Sequence, residues 1–230
     1  MRSDHGAHSV RRSPDMPHFD AVLFDLDGTL LYTLPDIHAA VCRALTLNGY
    51  GTHTMEDTRR FVGTGSRELV RKSLPADASP EEVDRVLVTY RAEYKAALVV
   101  DTVPYARIPE TLAVLRDKGL ALGVVTNKPH ENAVYIIDRC FPGVFGVTEG
   151  NRDGKPFKPA PDAVYTALDS LGVTAERALY VGDSEVDSLT ARNAGMECVL
   201  CAWGYRPRFE LEKYPALGII GAPEELLKYI

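Results

Sequence analysis

Two carboxylates at the end of an apolar run are the residues of this chain with the clearest chemical meaning. The run Ala21–Phe24 leads into Asp25 and, one residue on, Asp27, and Gly28 and Thr29 follow. In open α/β sheets, ligands bind at the carboxyl ends of the strands. One carboxylate at such an edge can accept a phosphoryl group as a nucleophile, and a second can carry a proton. A turn rich in Asp and Gly is the alternative interpretation, and the remainder of the chain decides between the two.

Three further polar side chains also follow or lie close to apolar runs. Thr126 ends the run 122–125, and Asp183 ends the run 179–182. Asp187 lies four residues beyond Asp183, about one helical turn, and can face the same side. Because the strands of a parallel sheet all end at one edge, we expect these side chains to converge with the first two. The predicted cluster is Asp25, Asp27, Thr126, Asp183 and Asp187.

This predicted cluster is strongly acidic and therefore needs positive charge. The carboxylate oxygens of Asp25, Asp183 and Asp187 are hard ligands of the kind that Mg²⁺ prefers. Without a cation so many acids would repel one another, and an anionic substrate would be excluded. Lys158, in the proline-stiffened segment KPFKPAPD, is the candidate for a fixed ammonium group. A solvated loop lysine is the competing interpretation, and Lys155 is a second local match.

The elements that must position these residues predict an α/β fold with an all-helical insertion. Helices are predicted at 35–48, 55–62, 66–74 and from 80 onward, with no strand expected between 34 and 106. Beyond 109, apolar strands alternate with helices, which indicates a parallel sheet covered on both faces. These strands are expected at 121–126, 144–148, 178–182, 197–201 and 217–220, and the helices at 109–118, 131–139, 161–171, 184–194 and 223–229.

Composition and charge argue against several classes of protein. The 230 residues carry a net charge of −6, opposite to that of a general nucleic-acid-binding protein. No apolar run reaches the ~20 residues of a membrane helix and no signal-peptide core is found, so we expect a cytoplasmic protein without a membrane partner. The four cysteines are scattered, which argues against a disulfide framework, and Cys198 and Cys201 are interpreted as core residues. Residues 1–18 have little to bury and predict a mobile tail.

Four motifs, in order and spacing, resemble those of the haloacid dehalogenase-like hydrolase superfamily, specifically its phosphoglycolate phosphatase-like members with a helical cap. They are DLDGT at 25–29, VTN at 125–127, KPAP at 158–161 and GDSEVD at 182–187. The first and fourth together are specific, whereas Thr126 or Lys158 alone would be a weak signal. The resemblance spans 19–230. It implies a Rossmann-like parallel-sheet core formed by 19–33 and 107–230, with the cap at 34–106.

The resemblance implies chemical roles for the two acids of the first motif. Asp25 attacks phosphorus and becomes an aspartyl phosphate. Asp27 protonates the leaving alcohol and then, as a base, activates water against that intermediate. Dehalogenases of the superfamily lack an acid two residues after the nucleophile, so Asp27 favours a phosphatase or a phosphomutase.

The resemblance also implies a metal site and a phosphate site. Mg²⁺ is held by Asp25, the Asp27 backbone carbonyl and Asp183, with Asp187 close by or acting through water. The phosphoryl oxygens are held by Thr126, the Asn127 backbone amide and Lys158. These assignments agree with the general physics of phosphoryl transfer, which is mainly positioning and neutralisation of charge.

A cap that opens and closes over the site is implied as well. The segment FVGTGSR at 61–67 resembles the cap loop of the family, and Arg67 could bind a second anionic group such as a carboxylate. A solvated arginine at a helix start is the equal alternative.

The chain departs from the family pattern at the rim of the predicted site. Residues 32–33 are Tyr-Thr where relatives often have Asp-Ser, and 106–107 are Ala-Arg where they often have glycine. These differences bear on substrate choice more than on the chemistry. His130 is interpreted as a solvated helix-start residue, and 203–205 as a packing loop.

Together these features predict a magnesium-dependent phosphomonoester hydrolase for a small phosphorylated metabolite, with 2-phosphoglycolate as the first candidate, acting as a monomer or homodimer. The alternatives are a phosphatase for another small phosphate, a pyrophosphatase, or a sugar-phosphate mutase. A catalytically silent binding protein of the same fold would lack the nucleophile, the acid or a metal ligand, and this sequence contains all of them.

Overall fold

The computed structural model describes residues 18–230, so the tail predicted at 1–18 lies outside the described residues except for His18. The strands are β1 (Ala21–Phe24), β2 (Leu31–Tyr32), β3 (Val103–Pro104), β4 (Ala121–Pro129), β5 (Val147–Asn151), β6 (Ala178–Gly182), β7 (Glu197–Cys201) and β8 (Gly218–Ile220). Six of them form one sheet in the order β5-β4-β1-β6-β7-β8, and every neighbouring pair is parallel. The predicted α/β fold is confirmed.

Nine α-helices lie among the described residues. They are α1 (Leu34–Leu47), α2 (Met55–Phe61), α3 (Ser66–Ser73), α4 (Pro80–Ala96), α5 (Ile108–Asp117), α6 (His130–Cys140), α7 (Asp162–Leu171), α8 (Glu185–Ala194) and α9 (Arg208–Leu211). Two 3₁₀ helices cover Ala175–Arg177 and Pro223–Tyr229, the second in place of a predicted α-helix. None of the helices in this part of the chain is long and apolar enough to cross a membrane.

Strand β1 lies in the centre of the sheet and sets the position of the site. Its four residues are buried, because β4 and β6 flank it and helices cover both faces. Its last residue, Phe24, lies opposite Val124 of β4 and Val181 of β6. The residues that follow these three positions therefore emerge side by side. Cys198 and Cys201 are buried in β7, as predicted.

Helices α1–α4 surround an apolar cluster of their own, which includes Val41, Leu45, Val70 and Val86. Helices α2 and α4 each begin with a reciprocal capping box, which satisfies backbone donors at the helix start. The segment that leads out of these helices is held by Asp36 on α1. The buried carboxylate of Asp36 accepts hydrogen bonds from the backbone N–H groups of residues 100–102.

The expectation of no strand between 34 and 106 is wrong at one point. Val103–Pro104 pairs antiparallel with Leu31–Tyr32 and forms a short ribbon where the chain leaves and re-enters the core. Two-residue strands are too short to show an alternating pattern, and this pairing joins segments about 70 residues apart, so no local pattern predicts it. Arg107, just beyond the ribbon, has φ 70°, a left-handed conformation that glycine adopts more readily.

Candidate active site

The carboxyl ends of β1, β4 and β6 open into one cleft between the sheet and helices α1–α4. Asp25 and Asp27 follow β1, Asp183 follows β6, and Thr126 lies in the second half of β4. All four line the cleft. The strand ends therefore bring the predicted polar side chains to one place.

Lys158 is fixed beneath this cleft by four oxygen atoms. Its Nζ donates to Asp187 Oδ1 at 2.8 Å, to the Tyr180 hydroxyl at 3.0 Å and to the Val125 carbonyl oxygen at 3.1 Å. An ammonium group has three protons, so the fourth contact, 3.0 Å to Asp25 Oδ1, is an ion pair rather than a hydrogen bond. Burial alone would lower the pKa of Lys158, but the two carboxylates outweigh it and raise that pKa. Lys158 is therefore a buried and fixed cation beside Asp25, not a solvated loop lysine.

Asp187 is held by the start of α8 and has no free oxygen. Its Oδ2 accepts from the backbone N–H groups of Asp183 and Ser184, both at 3.1 Å, and from the Ser184 hydroxyl at 2.6 Å. Its Oδ1 accepts from Lys158. Asp187 thus anchors the lysine and the turn that carries Asp183.

Asp183 is positioned by the first motif and by the segment after β7. Its Oδ1 accepts from the Thr29 hydroxyl at 3.2 Å, and its Oδ2 accepts from the backbone N–H of Tyr205 at 2.7 Å. Only glycine fits at positions 28 and 204, because a Cβ on Gly28 or Gly204 would collide with the Asp183 side chain. Gly28 also has φ 90°, which strains other residues.

The carboxylates of Asp25 and Asp183 fit a hard divalent cation, and that of Asp187 lies beside them. One carboxylate oxygen of each lies within 4.8 Å of the others, and Asp25 Oδ1 is buried without a hydrogen bond. Burial, partly offset by Lys158, raises the pKa of Asp25 to about 6, and burial also raises the pKa of Asp183. Such groups remain charged at low cost only if a cation accompanies them.

Lys128 is a site residue that sequence reasoning missed. Its Nζ donates to both carboxylate oxygens of Asp27, at 2.7 and 2.9 Å, and lies 4.9 Å from the centre of the Tyr94 ring on α4. The Thr33 hydroxyl donates to the same carboxylate at 2.6 Å. The register of β4 shifts between Val125 and Pro129, so the alternation of a regular strand did not predict which way Lys128 faces.

Asn127 lines the cleft, but its side chain forms its hydrogen bonds with backbone groups of the protein. Its amide nitrogen donates to the carbonyl oxygens of Gly63 at 2.9 Å and Lys158 at 3.1 Å, and its Oδ1 accepts from the backbone N–H of Lys158 at 2.7 Å. Asn127 therefore joins the loop before α3 to the segment of Lys158. The implied role of its backbone amide stays a prediction.

Comparison with known proteins agrees with this arrangement. The profile of the haloacid dehalogenase-like hydrolase family matches residues 22–201. The chain belongs to this family. A phosphoglycolate phosphatase of Pseudomonas putida is 36% identical over 193 residues, covering 80% of this chain and 70% of that protein. One of Aquifex aeolicus is 36% identical over 185 residues, covering 80% of this chain and 85% of the relative.

A solved structure from Lactobacillus delbrueckii subsp. bulgaricus, provisionally named a phosphoglycolate phosphatase, is also similar. Its TM-score is 0.86 at 32% identity, and the match covers 91% of this chain and 97% of the other. The resemblance inferred from the four motifs, and the predicted class of enzyme, a phosphatase of this family, are thereby confirmed.

In this haloacid dehalogenase-like hydrolase, Arg67 does not reach the cleft. Its guanidinium pairs with Asp84 on the surface, 3.0 Å away, and about half of its side chain is exposed. The cations that line the cleft are Lys128 and Arg206. Arg67 is the second residue of α3, directly after Ser66, which does line the cleft, so the sequence could not show which way the arginine points.

The segment after β7 does more than the predicted packing. Tyr205 holds Asp183 through its backbone, and its hydroxyl lies 2.9 Å from the Thr33 hydroxyl at the start of α1. Arg206 donates to the carbonyl oxygens of Arg59 at 3.2 Å and Val62 at 3.0 Å. His130, expected in solvent, is half-buried with Arg152 Nη2 3.0 Å from its Nε2.

Proposed function

We propose that this chain is a magnesium-dependent phosphomonoester hydrolase that works through an aspartyl phosphate on a small phosphorylated metabolite. The observation that supports the proposal most directly is the pairing of Asp25 with the buried ammonium of Lys158. A second carboxylate, Asp27, stands beside it with separate partners. The positive charge of Lys158 beside Asp25 would favour attack of Asp25 on a phosphate. Asp27 has its own partners and would serve in proton transfer.

In the first step, an Asp25 carboxylate oxygen forms a bond to phosphorus while the bond from phosphorus to the leaving oxygen breaks. Asp27 gives its proton to that oxygen, so the product alcohol leaves neutral. In the second step, Asp27 takes a proton from water, whose oxygen attacks phosphorus. The bond from phosphorus to Asp25 breaks, inorganic phosphate is released, and Asp27 is protonated again. Each placed proton-transfer group contributes about 10²–10⁴-fold to such a reaction.

Asp25 and Asp183 would hold Mg²⁺, with the Asp27 backbone carbonyl as a further ligand. Asp187 is near enough but acts chiefly through Lys158, since its oxygens are already occupied. When bound, the ion neutralises charge on the phosphoryl oxygens. Lys158 supplies the fixed positive charge from the protein, and Thr126 lines the cleft where phosphate would lie.

The best candidate substrate is 2-phosphoglycolate. Relatives in Pseudomonas putida and Aquifex aeolicus carry the name phosphoglycolate phosphatase. Lys128 and Arg206 give the cleft two cations beyond the phosphate-binding lysine, which suits a substrate that carries a carboxylate as well as a phosphate. Residues 34–106 form the proposed cap, which would exclude water when closed over the substrate.

The proposal is tested by turnover of 2-phosphoglycolate and of 2-hydroxyethyl phosphate, which has the same skeleton without the carboxylate. With Mg²⁺, the first should be the better substrate through a lower KM. Asp25→Asn and Asp27→Asn should each lower kcat by at least about 10³-fold, and EDTA should abolish turnover. Asp162→Asn, at an exposed acid just beyond the KPAP motif, is the matched control and should retain activity. Full turnover in Asp25→Asn would refute the mechanism.

A further inference from the structure

A second group of metal-ligating side chains lies among helices α1–α3, away from the acidic cleft. His38 and Cys42 are four residues apart on α1, so they share one face of the helix, and His53 lies in the segment just before α2. One ligand atom from each residue lies within 4.8 Å of the other two. All three residues are half-buried, so an ion could reach them from solvent. We call His38, Cys42 and His53 the cap cluster.

The thiol and the His38 ring lie close enough to share one ion once the ring turns. Cys42 Sγ lies 3.6 Å from Nδ1 and 3.7 Å from Nε2 of His38. With zinc bonds of about 2.3 Å to sulfur and about 2.0–2.1 Å to nitrogen, a tetrahedron places the two ligand atoms about 3.5 Å apart. The separation is therefore suitable, but because the sulfur is equally far from both ring nitrogens, the ring must rotate to point Nε2 at a shared ion.

The ring nitrogens that would not bind an ion already have partners. The Thr58 hydroxyl lies 2.7 Å from His38 Nδ1, and the Ser73 hydroxyl lies 2.9 Å from His53 Nε2. Ligand histidines depend on such outer contacts, which fix the ring orientation and the tautomer. The nitrogens left for an ion are Nε2 of His38 and Nδ1 of His53. The latter would give up contacts of 3.1 Å to the Thr54 carbonyl oxygen and 3.3 Å to the Thr58 hydroxyl.

We propose that His38, Cys42 and His53 form a second metal site, which binds a borderline ion such as Zn²⁺ and leaves the fourth position to water. One thiolate and two imidazoles are softer ligands than the carboxylates of the cleft, so the two sites select different ions. Binding releases the thiol proton of Cys42 to solvent. The ion would tie α1 to α2, whose far end contacts the core through Arg59 and the Tyr205 carbonyl oxygen, 2.9 Å apart.

Cobalt(II) titration of the full, reduced chain in saturating Mg²⁺ tests the proposal, because Co²⁺ reports its ligands by absorption. We expect one tightly bound equivalent with a thiolate-to-cobalt charge-transfer band, which Zn²⁺ then removes. Cys42→Ser should lose the band and bind Zn²⁺ at least about 100-fold more weakly. Thr58→Val, which frees the His38 ring, should weaken Zn²⁺ binding about 10–100-fold.

Two matched controls separate this site from other ligands. Cys140→Ser changes a half-buried free cysteine on α6, and the pair His5→Gln with His8→Gln removes two histidines near the start of the chain. Both should keep the band. Zn²⁺ should also raise the unfolding temperature of the parent chain and not that of Cys42→Ser. If Cys42→Ser proves unfolded, His53→Gln serves in its place.

The proposal is overturned if the folded parent chain shows no charge-transfer band, or if the band persists in Cys42→Ser. None of these readouts depends on turnover, so the result stands whether or not the proposed phosphatase reaction is correct.

Discussion

At the scale of single residues, the two acids of the first motif differ in their partners. Asp25 faces Lys158 and has a buried oxygen without a hydrogen bond, which leaves it available to phosphorus and to a cation. Asp27 is held by Lys128 and Thr33, away from that lysine. These partners would separate the proposed nucleophile from the proposed proton carrier, although only one residue lies between the two acids.

Lys128→Met keeps the length of the side chain and removes the ammonium group that holds Asp27. We expect kcat for 2-phosphoglycolate to fall about 10²-fold, since small displacements of a catalytic group carry losses of that size. If Lys128 also binds the substrate carboxylate, KM rises for 2-phosphoglycolate and not for 2-hydroxyethyl phosphate. Steady-state kinetics on both substrates checks this. Lys155→Met, at an exposed lysine, is the control, and an unchanged kcat in Lys128→Met would contradict the positioning role.

At the scale of elements, the segment after β7 connects the turn that carries Asp183 to helices α1–α4. Tyr205 contacts Asp183 on one side and Thr33 at the start of α1 on the other. Arg206 adds two hydrogen bonds to carbonyl oxygens at the end of α2 and an ion pair of 3.1 Å to Glu185. This short segment is therefore one of the contacts that hold the proposed cap against the core.

Arg206→Met removes these contacts with α2 and one cation of the cleft. Hydrogen bonds from a charged donor contribute about 1.5–3 kcal/mol each at most, so the cap should open more often. We expect faster amide hydrogen exchange in residues 59–65 and a KM about 10-fold higher for 2-phosphoglycolate. Hydrogen-exchange mass spectrometry and kinetics measure the two effects. Arg208→Met, at an exposed arginine two residues on, should change neither, and unaltered exchange in Arg206→Met would show that Arg206 does not hold α2 against the core.

At the scale of the whole molecule, the acidic cleft sets how stability depends on pH when no divalent ion is bound. Burial raises the pKa of Asp25 from 3.8 to about 6 and raises that of Asp183 in the same direction. Between pH 3.8 and about pH 6, Asp25 is therefore protonated to a greater extent in the folded chain than in the unfolded chain. The contribution of Asp25 to stability is therefore present at low pH and is lost as pH rises through about 6, and that of Asp183 also falls as pH rises.

In EDTA, the free energy of unfolding of the parent chain relative to Asp25→Asn should fall by on the order of 2 kcal/mol between pH 4 and pH 7. Denaturant unfolding at each pH measures this difference. Added Mg²⁺ at pH 7.5 should restore stability to the parent more than to the variant. Asp162→Asn, an exposed acid, should follow the parent at every pH. A difference that grows as pH rises would contradict the sign of the pKa shift.

The sequence by itself determined the family, the class of fold and the residues at the strand ends. Apolar strands followed by Asp25, Thr126 and Asp183 are local signals, because a residue that follows a buried strand of a parallel sheet must lie at the carboxyl edge of that sheet. The helices of the cap were predicted within a residue or two for the same reason, since their apolar spacing and capping residues are local.

The tertiary structure alone decided which charged groups meet. Lys128 pairs with Asp27 from a distance of 101 residues, and Arg206 contacts Arg59 across 147, so no local pattern announces either contact. The direction in which a side chain points also depends on the tertiary structure. Arg67 and Lys128 are both cations near family motifs, but packing directs Arg67 to the surface and Lys128 into the cleft. Short motifs therefore contain the candidate site residues, whereas the partners that orient their side chains depend on the folding of the whole chain.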